Sequence, residues 1–416
     1  MKRLSALLSL LLAVVLLAGC GMMDGEMYVV APHKLTESEN VQTRPAQEVA
    51  DYAALHDAVL AMVNGRNESG VFRFTASYAG DVSADVSEVC MDIPNNTPLG
   101  AYAVYYMSAS VNKYVSYYEA EVSITYKKSA VQISSIRAVD TMAAMNEQLR
   151  DIIENLGTYF VFETDNSRLN ADYVSRQAQE IYYGNPDAVL APPSVTVSTY
   201  PEEAKDRIVE VNISYPENVA VLRRLVGDLK ETSTEITGWY AERETRSAVL
   251  SFCQYLSSHV TRKPLDESHW TADSSAYGAL VAGTANSKGV AMALKVLCDA
   301  RNIPCTVVSG RYENETHYWN IVSVDGARYH MDAAKFSENG GAQALFLSDQ
   351  RIGDAYWWDT GAYPSCNGDL TYDAVLAQQR PVQPETSGEQ TGETSGETQP
   401  EETPPQESSE DSGQTP

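Results

Sequence analysis

An Asp-Gly pair at 325–326, set between two runs of strand-forming residues, constrains this chain more than any other feature. Asp-Gly favours a type I′ turn, whose twist matches the right-handed twist of the strands it joins. A two-residue loop there pairs Val324 with Ala327, and the turn alone then sets the register of 319–324 against 327–332. Asp332 falls opposite Trp319, and His317 falls diagonal to Asp332 on the same face. Diagonal neighbours sit roughly 7–8 Å apart at Cα, within reach of an imidazole–carboxylate hydrogen bond. A carboxylate in that place fixes the ring tautomer and favours imidazolium, as an orienting acid does beside a general base.

Upstream, Val290, Ala293, Leu294, Leu297 and Cys298 make an apolar stripe at helical spacing. Asn286 is the expected N-cap, so a side chain at 287 faces the positive end of the helix dipole. An anionic thiolate would be favoured there, but the residue is a serine. Gly289 permits a close backbone approach in the first turn. Cys298 cannot stand in for the missing thiol, because eleven residues at 1.5 Å each put it about 16 Å farther along the axis. Cys305 opens an apolar run and reads as core, while Cys90, Cys253 and Cys366 carry no local cue and read as structural.

Several segments then form one pattern: Tyr277-Gly278-Ala279-Leu280-Val281, Gly283, Ser287-Lys288-Gly289-Val290-Ala291, Asn302-Ile303-Pro304-Cys305, Gly310, His317-Tyr318-Trp319-Asn320 and Tyr329-His330-Met331-Asp332. Together they resemble bacterial transglutaminase-like domains, over roughly residues 240–365. The resemblance implies a papain-like fold with a Cys-His-Asp triad on a helix N-terminus and two neighbouring strands. That family includes cysteine proteases, acyl-transfer enzymes and inactive scaffolds, and no cofactor is implied. By position His317 matches the base, Asp332 the orienter and Ser287 the nucleophilic cysteine. The region N-terminal to these segments also resembles paired modules that precede this domain in exported proteins of Gram-positive bacteria.

The serine decides the functional expectation. A thiol is partly ionised near neutrality, whereas a hydroxyl must lose its proton to a base during attack. Removing a triad nucleophile costs on the order of 10⁶ in kcat. The leading expectation is a catalytically inactive domain whose groove binds a peptide, a protein or a cell-wall ligand. A Ser-His-Asp hydrolase or acyltransferase acting on peptide or amide bonds is the alternative, and a purely structural envelope spacer is a third. Trp319, His330 and Tyr277 are candidates for the ligand groove, with Tyr356, Trp357 and Trp358 as further aromatics, though an aromatic core is the commoner explanation for such residues. No Cys/His cluster has zinc spacing, so no metal site is expected.

The rest of the chain frames this domain. Lys2-Arg3, an apolar run over 7–17 and Leu17-Ala18-Gly19-Cys20 resemble a bacterial lipoprotein signal over 1–19. That resemblance implies a lipid on Cys20, hence an extracytoplasmic protein anchored to the cell membrane, with a polar tether over 20–46. A net charge of -26, with no basic stripe, argues against nucleic acid as a partner. The odd count of five remaining cysteines argues against a complete disulfide framework, although Cys298 and Cys305 can approach each other across a turn.

An α+β fold is expected, with two small αβαββ modules over 47–135 and 136–232 and the transglutaminase-like domain over 233–379. In the first module helices are expected over 49–63 and 82–91, a turn at 94–96, and strands over 71–74, 102–108 and 117–126. In the second, helices are expected over 142–156 and 170–181, with strands over 159–162, 195–198 and 207–215. Phe72 and Phe74 map onto Phe160 and Phe162, 88 residues later, and Val122 maps onto Val211, 89 residues later. Residues 380–416 hold nine of the 56 acidic residues and almost no aliphatic ones, the composition of a disordered tail.

Overall fold

The computed structural model describes residues 45–379; the expected signal over 1–19, Cys20, the tether as far as 44 and the tail over 380–416 lie outside the described residues. The chain mixes helices and sheets and divides into two compact units. Of the described residues, the first holds those up to Pro94 together with Val104–Lys127, and the second holds Asn95–Ala103 and those from Lys128 onward. Among the described residues no helix is long and apolar enough to cross a membrane.

The opening stretch comprises β1 (Gln47–Val49), α1 (Tyr52–Gly65), β2 (Ser69–Phe74), α2 (Val82–Asn96), α3 (Pro98–Ala103), β3 (Val104–Lys113) and β4 (Tyr118–Tyr126). The sheet order is β1-β2-β4-β3, with β1 parallel to β2 and the other pairs antiparallel. Helix α1 begins later than its apolar pattern suggests. Asp51 caps it by accepting from Ala54 N at 2.8 Å, which leaves Val49 to the sheet. The turn expected at 94–96 is instead the end of α2, which runs through Pro94. A proline there removes one main-chain bond, and the fully buried Val89 and Ile93 hold that turn in place. Tyr102 likewise sits in α3 and not in the strand expected to begin with it.

The second unit continues with α4 (Ala130–Ser134), β5 (Arg137–Ala138), α5 (Met142–Glu154), β6 (Tyr159–Thr164), α6 (Ala171–Gly184), β7 (Ser194–Tyr200) and β8 (Arg207–Ser214). Its sheet order is β5-β6-β8-β7, with β5 parallel to β6 and the rest antiparallel. Phe72 pairs with Ala120, whereas Phe160 pairs with Val211. The Val122 and Val211 landmarks therefore differ by two residues in register, a shift that keeps the same face.

Next come α7 (Val219–Trp239), α8 (Thr245–His259), β9 (Thr261–Arg262), β10 (Thr284–Ala285), α9 (Ser287–Asp299), β11 (Cys305–Tyr312), β12 (Glu315–Val324) and β13 (Ala327–Met331). After them come α10 (Phe336–Asn339), α11 (Gly341–Ala344), β14 (Tyr356–Trp357) and α12 (Tyr372–Gln379). The sheet order is β13-β12-β11-β14, antiparallel throughout. Helix α9 covers one face, and Val308, Trp319, Ile321, Leu347 and Tyr356 form a smaller cluster on the other.

One hydrophobic core runs from Val139 to Val375, so the second αβαββ region and the residues from 219 onward share a single interior. Helix α7 joins them. Leu222, Leu225, Leu229 and Ile236 line one stripe of it, each contributing about 1.5–3 kcal/mol by burial. The boundary expected between 232 and 233 falls inside this helix.

Candidate functional site

The Asp325-Gly326 turn takes the backbone its sequence asks for, with φ of 52° and 83°. Val324 pairs with Ala327, and the ladder continues without a bulge to Asn320 opposite Met331. Asp332 is therefore delivered diagonal to His317. His317 Nε2 donates to Asp332 Oδ2 at 2.6 Å, with both side chains almost fully buried.

Two more donors reach the same carboxylate. Tyr356 Oη donates to Oδ2 at 2.8 Å, and the Lys335 main-chain N–H donates to Oδ1 at 2.9 Å. A buried carboxylate needs such partners, since an unpaired charge in the interior is strongly unfavourable. Burial first, and then the Asp332 charge, push the Tyr356 phenol far up, so it stays protonated and donates. Arg262 adds a nearby cation; its Nη2 donates to Ala333 O at 2.8 Å, and burial lowers its pKa. Among the described residues no hydrogen bond reaches His317 Nδ1, which leaves that nitrogen as the ring's free proton acceptor.

His317 is fixed in orientation as well as tautomer. Its ring lies 6.2 Å from Trp319, nearly parallel to it, and 5.7 Å from Tyr312. The Trp319 indole is itself anchored, donating from Nε1 to His330 Nδ1 at 3.0 Å. His330 Nε2 then donates to Asp349 Oδ1 at 2.8 Å. Trp319 and His330 are each 1% exposed. They are packed supports behind His317, in keeping with the core reading of these residues. Tyr277 is half-buried and abuts the main core.

His330, Asp349 and Cys366 bring an N, O and S atom within 4.8 Å of one another. Their hydrogen bonding does not suit a cation. Because Trp319 N–H points at Nδ1, the neutral ring must carry its proton on Nε2, the atom a metal would need. Burial also pushes the Cys366 thiol up to about 12, away from the thiolate a metal binds.

Helix α9 starts at Ser287, as its sequence predicts. Asn286 Oδ1 accepts from Gly289 N at 3.2 Å, while Asn286 Nδ2 donates to Ser274 Oγ at 2.7 Å. A Cβ on Gly289 would lie 2.2 Å from Asp273 O, so only glycine allows this first turn to pack so closely. Asn320 Nδ2 donates to Ala291 O at 2.9 Å, tying β12 to the helix one turn beyond Ser287. Ser287 is half-buried, and among the described residues no hydrogen bond joins it to His317 or Asp332.

The adjacent residue, Lys288, lies over three tyrosine rings, with Nζ 4.9 Å from Tyr182, 5.2 Å from Tyr183 and 5.3 Å from Tyr318. Tyr182 and Tyr183 come from the end of α6, so the second αβαββ region reaches the residue beside Ser287. Burial lowers the Lys288 pKa, opposed by Glu267. No local pattern signals the Tyr356 or Lys288 contacts, because both join segments far apart in the chain.

The described cysteines are all free. The nearby Cys305 thiol, together with burial, raises the Cys298 pKa well above its usual value, and Cys305 Sγ accepts from Asn320 Nδ2 at 3.3 Å.

No protein-family model matches this sequence, and no curated protein does. Among solved structures, it is similar to a candidate cysteine protease from Cytophaga hutchinsonii, with 13% identity and a TM-score of 0.23, over 34% of this chain and 62% of that one. A TGase structure shares 14% identity at a TM-score of 0.23, over 53% and 65% of the two chains. A candidate protease from Parabacteroides distasonis shares 10% identity at a TM-score of 0.20, over 63% and 40%. This chain thus spans less than two thirds of the length of each of these structures.

Proposed function

We propose that the part of the second unit that carries Ser287, His317 and Asp332 is transglutaminase-like and papain-like, and that it binds a peptide, protein or cell-wall ligand without turning it over. The observation that carries this reading is the unequal state of the three matched residues. His317 and Asp332 are joined at 2.6 Å, while among the described residues no hydrogen bond joins Ser287 to the base it would need. A serine hydroxyl ionises too weakly to act alone, and a base must take its proton as it attacks. A site suited to a thiolate–imidazolium pair leaves the oxygen nucleophile inactive.

The same proposal takes Cys20 as the lipidated residue of an exported, membrane-anchored lipoprotein, and 380–416 as its disordered tail. It also takes the two αβαββ regions as copies of one module. Their common strand order and the matching Phe72/Phe74 and Phe160/Phe162 strands support this.

A fluorophosphonate probe applied to the full chain tests the central claim. Ser287 is expected to stay unlabelled at probe concentrations that saturate an active serine hydrolase. The second reading, a Ser-His-Asp hydrolase or acyltransferase, draws on the intact and buried His317–Asp332 pair. Labelling of Ser287 that His317→Ala abolishes would establish it and overturn the first.

A further inference from the structure

Strand β11 directs its main-chain groups alternately to its two sides. Ser323 N donates to Pro304 O at 2.9 Å, and the observed register carries the pattern along the strand. Residues 306, 308 and 310 thus bond to β12, whereas 305, 307, 309 and 311 face the opposite edge. On that edge Arg311 pairs with Trp357 of β14, and Tyr363 Oη accepts from Ser309 N at 3.0 Å. Cys305 O accepts from Lys295 Nζ at 3.0 Å. Val307 is left over. Among the described residues no hydrogen bond reaches its N–H or C=O, although the residue is 5% exposed. Unpaired main-chain groups are rare in interiors, because each loses its water without gaining a partner.

This stretch of edge lines a cavity of about 380 Å³ that separates it from α6. Tyr183 and Gly184 form the helix side, Tyr363 and Ala362 lie at the loop side, and Val307 and Cys305 provide apolar floor. Arg176 and Glu180 also line it. Glu180 accepts from Gln177 at 2.7 Å, while Arg176 is exposed and has no carboxylate partner among the described residues.

We propose that this edge binds an extended peptide by strand addition, and that the peptide carries an aliphatic side chain next to a carboxylate. One peptide residue opposite Val307 accepts from its N–H and donates to its C=O, which completes a position where neither main-chain group has a partner among the described residues. The aliphatic side chain of that same residue lies on Val307's face of the sheet and fills the space against Val307 and Tyr183. The carboxylate meets Arg176, whose guanidinium suits planar two-oxygen recognition. The volume lies at the small end of ligand pockets, enough for two or three residues. The site involves neither Ser287 nor His317, so it stands whether or not those residues are catalytic.

The test uses the full chain and two probes, acetyl-Ser-Val-Glu-Ser-amide and its Glu-to-Lys counterpart, monitored at the Val307 amide by NMR and hydrogen exchange. The acidic peptide should shift that amide and slow its exchange, and the lysine peptide should bind about tenfold more weakly. Gly184→Phe should abolish binding by filling the cavity. A Cβ at 184 meets nothing within 4 Å, so the backbone there accepts a side chain, and an unchanged urea midpoint would show that the variant folds. Arg176→Glu, at an exposed position, should weaken the acidic peptide and spare the lysine one. The proposal is overturned by no shift at Val307 with millimolar peptide, by equal affinity for both peptides, or by binding that survives Gly184→Phe. It is equally overturned if the Val307 amide is already protected before peptide is added, which would assign the edge to another segment of this chain.

Discussion

Tyr356 Oη and His317 Nε2 donate to the same oxygen of Asp332, at 2.8 Å and 2.6 Å. The tyrosine comes from β14, at the far side of the sheet from β13, yet it closes the carboxylate's environment. It does for Asp332 what Asp332 does for the imidazole: it limits where the lone pairs can point.

Tyr356→Phe should therefore weaken the fold more than the loss of one hydroxyl implies. It leaves a buried carboxylate short of a donor, at a cost of about 1–3 kcal/mol. The urea midpoint should fall with an unchanged slope. An unaltered midpoint would mean that water replaces the phenol without loss.

Ser287→Cys should restore a reactive group. A thiol at a helix N-terminus is acidified, and more so where an imidazole reaches it, so alkylation by iodoacetamide at pH 7 should run roughly tenfold faster than in the unfolded chain. Peptide mapping separates position 287 from the native cysteines. His317→Ala in the same background should remove the advantage; if the rate does not change, His317 does not reach residue 287.

Stability should decline on the acid side through His330. Burial lowers its pKa from 6.5, so the folded state disfavours the imidazolium, and the Trp319 donor at Nδ1 leaves that nitrogen no room for a second proton. Below about pH 6.5 the unfolded chain binds the extra proton, and stability falls as pH drops. His330→Gln should flatten that slope between pH 6.5 and 5 relative to the parent. An identical slope in the variant would locate the acid sensitivity elsewhere.

Lys288→Ala should loosen the end of α6 from α9. It removes a cation held over three rings together with a partly buried stem, a loss of roughly 1–3 kcal/mol. Hydrogen exchange of the Tyr182 and Tyr183 amides should accelerate in step. Equal protection in both proteins would show that α6 is held by its apolar contacts alone.

Short-range chemistry makes most of the candidate site legible in the sequence. Asp325-Gly326 specifies its turn, the turn specifies a register, and the register brings His317 to Asp332. Asn286 and Gly289 likewise announce a helix start through capping and close approach. The features that sequence conceals depend on contacts between distant segments. Tyr356 lies 24 residues beyond the carboxylate it serves, in a two-residue strand too short to carry a pattern. Trp319 and His330 are legible as neighbours of His317, but only the packing of Leu347, Ile352 and Trp358 around them decides that they are buried. Pro94 misleads because a proline normally ends a helix, and here buried neighbours hold the turn across it.

Helix α7 spans the place where a domain boundary was expected, and this affects how the chain can be exchanged with others. A cut between 232 and 233 would split a 21-residue helix and expose Leu222, Leu229 and Ile236 together with the core they cover. Recombination or truncation there should yield insoluble halves, so the region around Ser287 is inherited with its α6 neighbour as one block. Whatever ligand this protein meets, the tyrosines beside Lys288 change hands only together with the helix that carries Ser287.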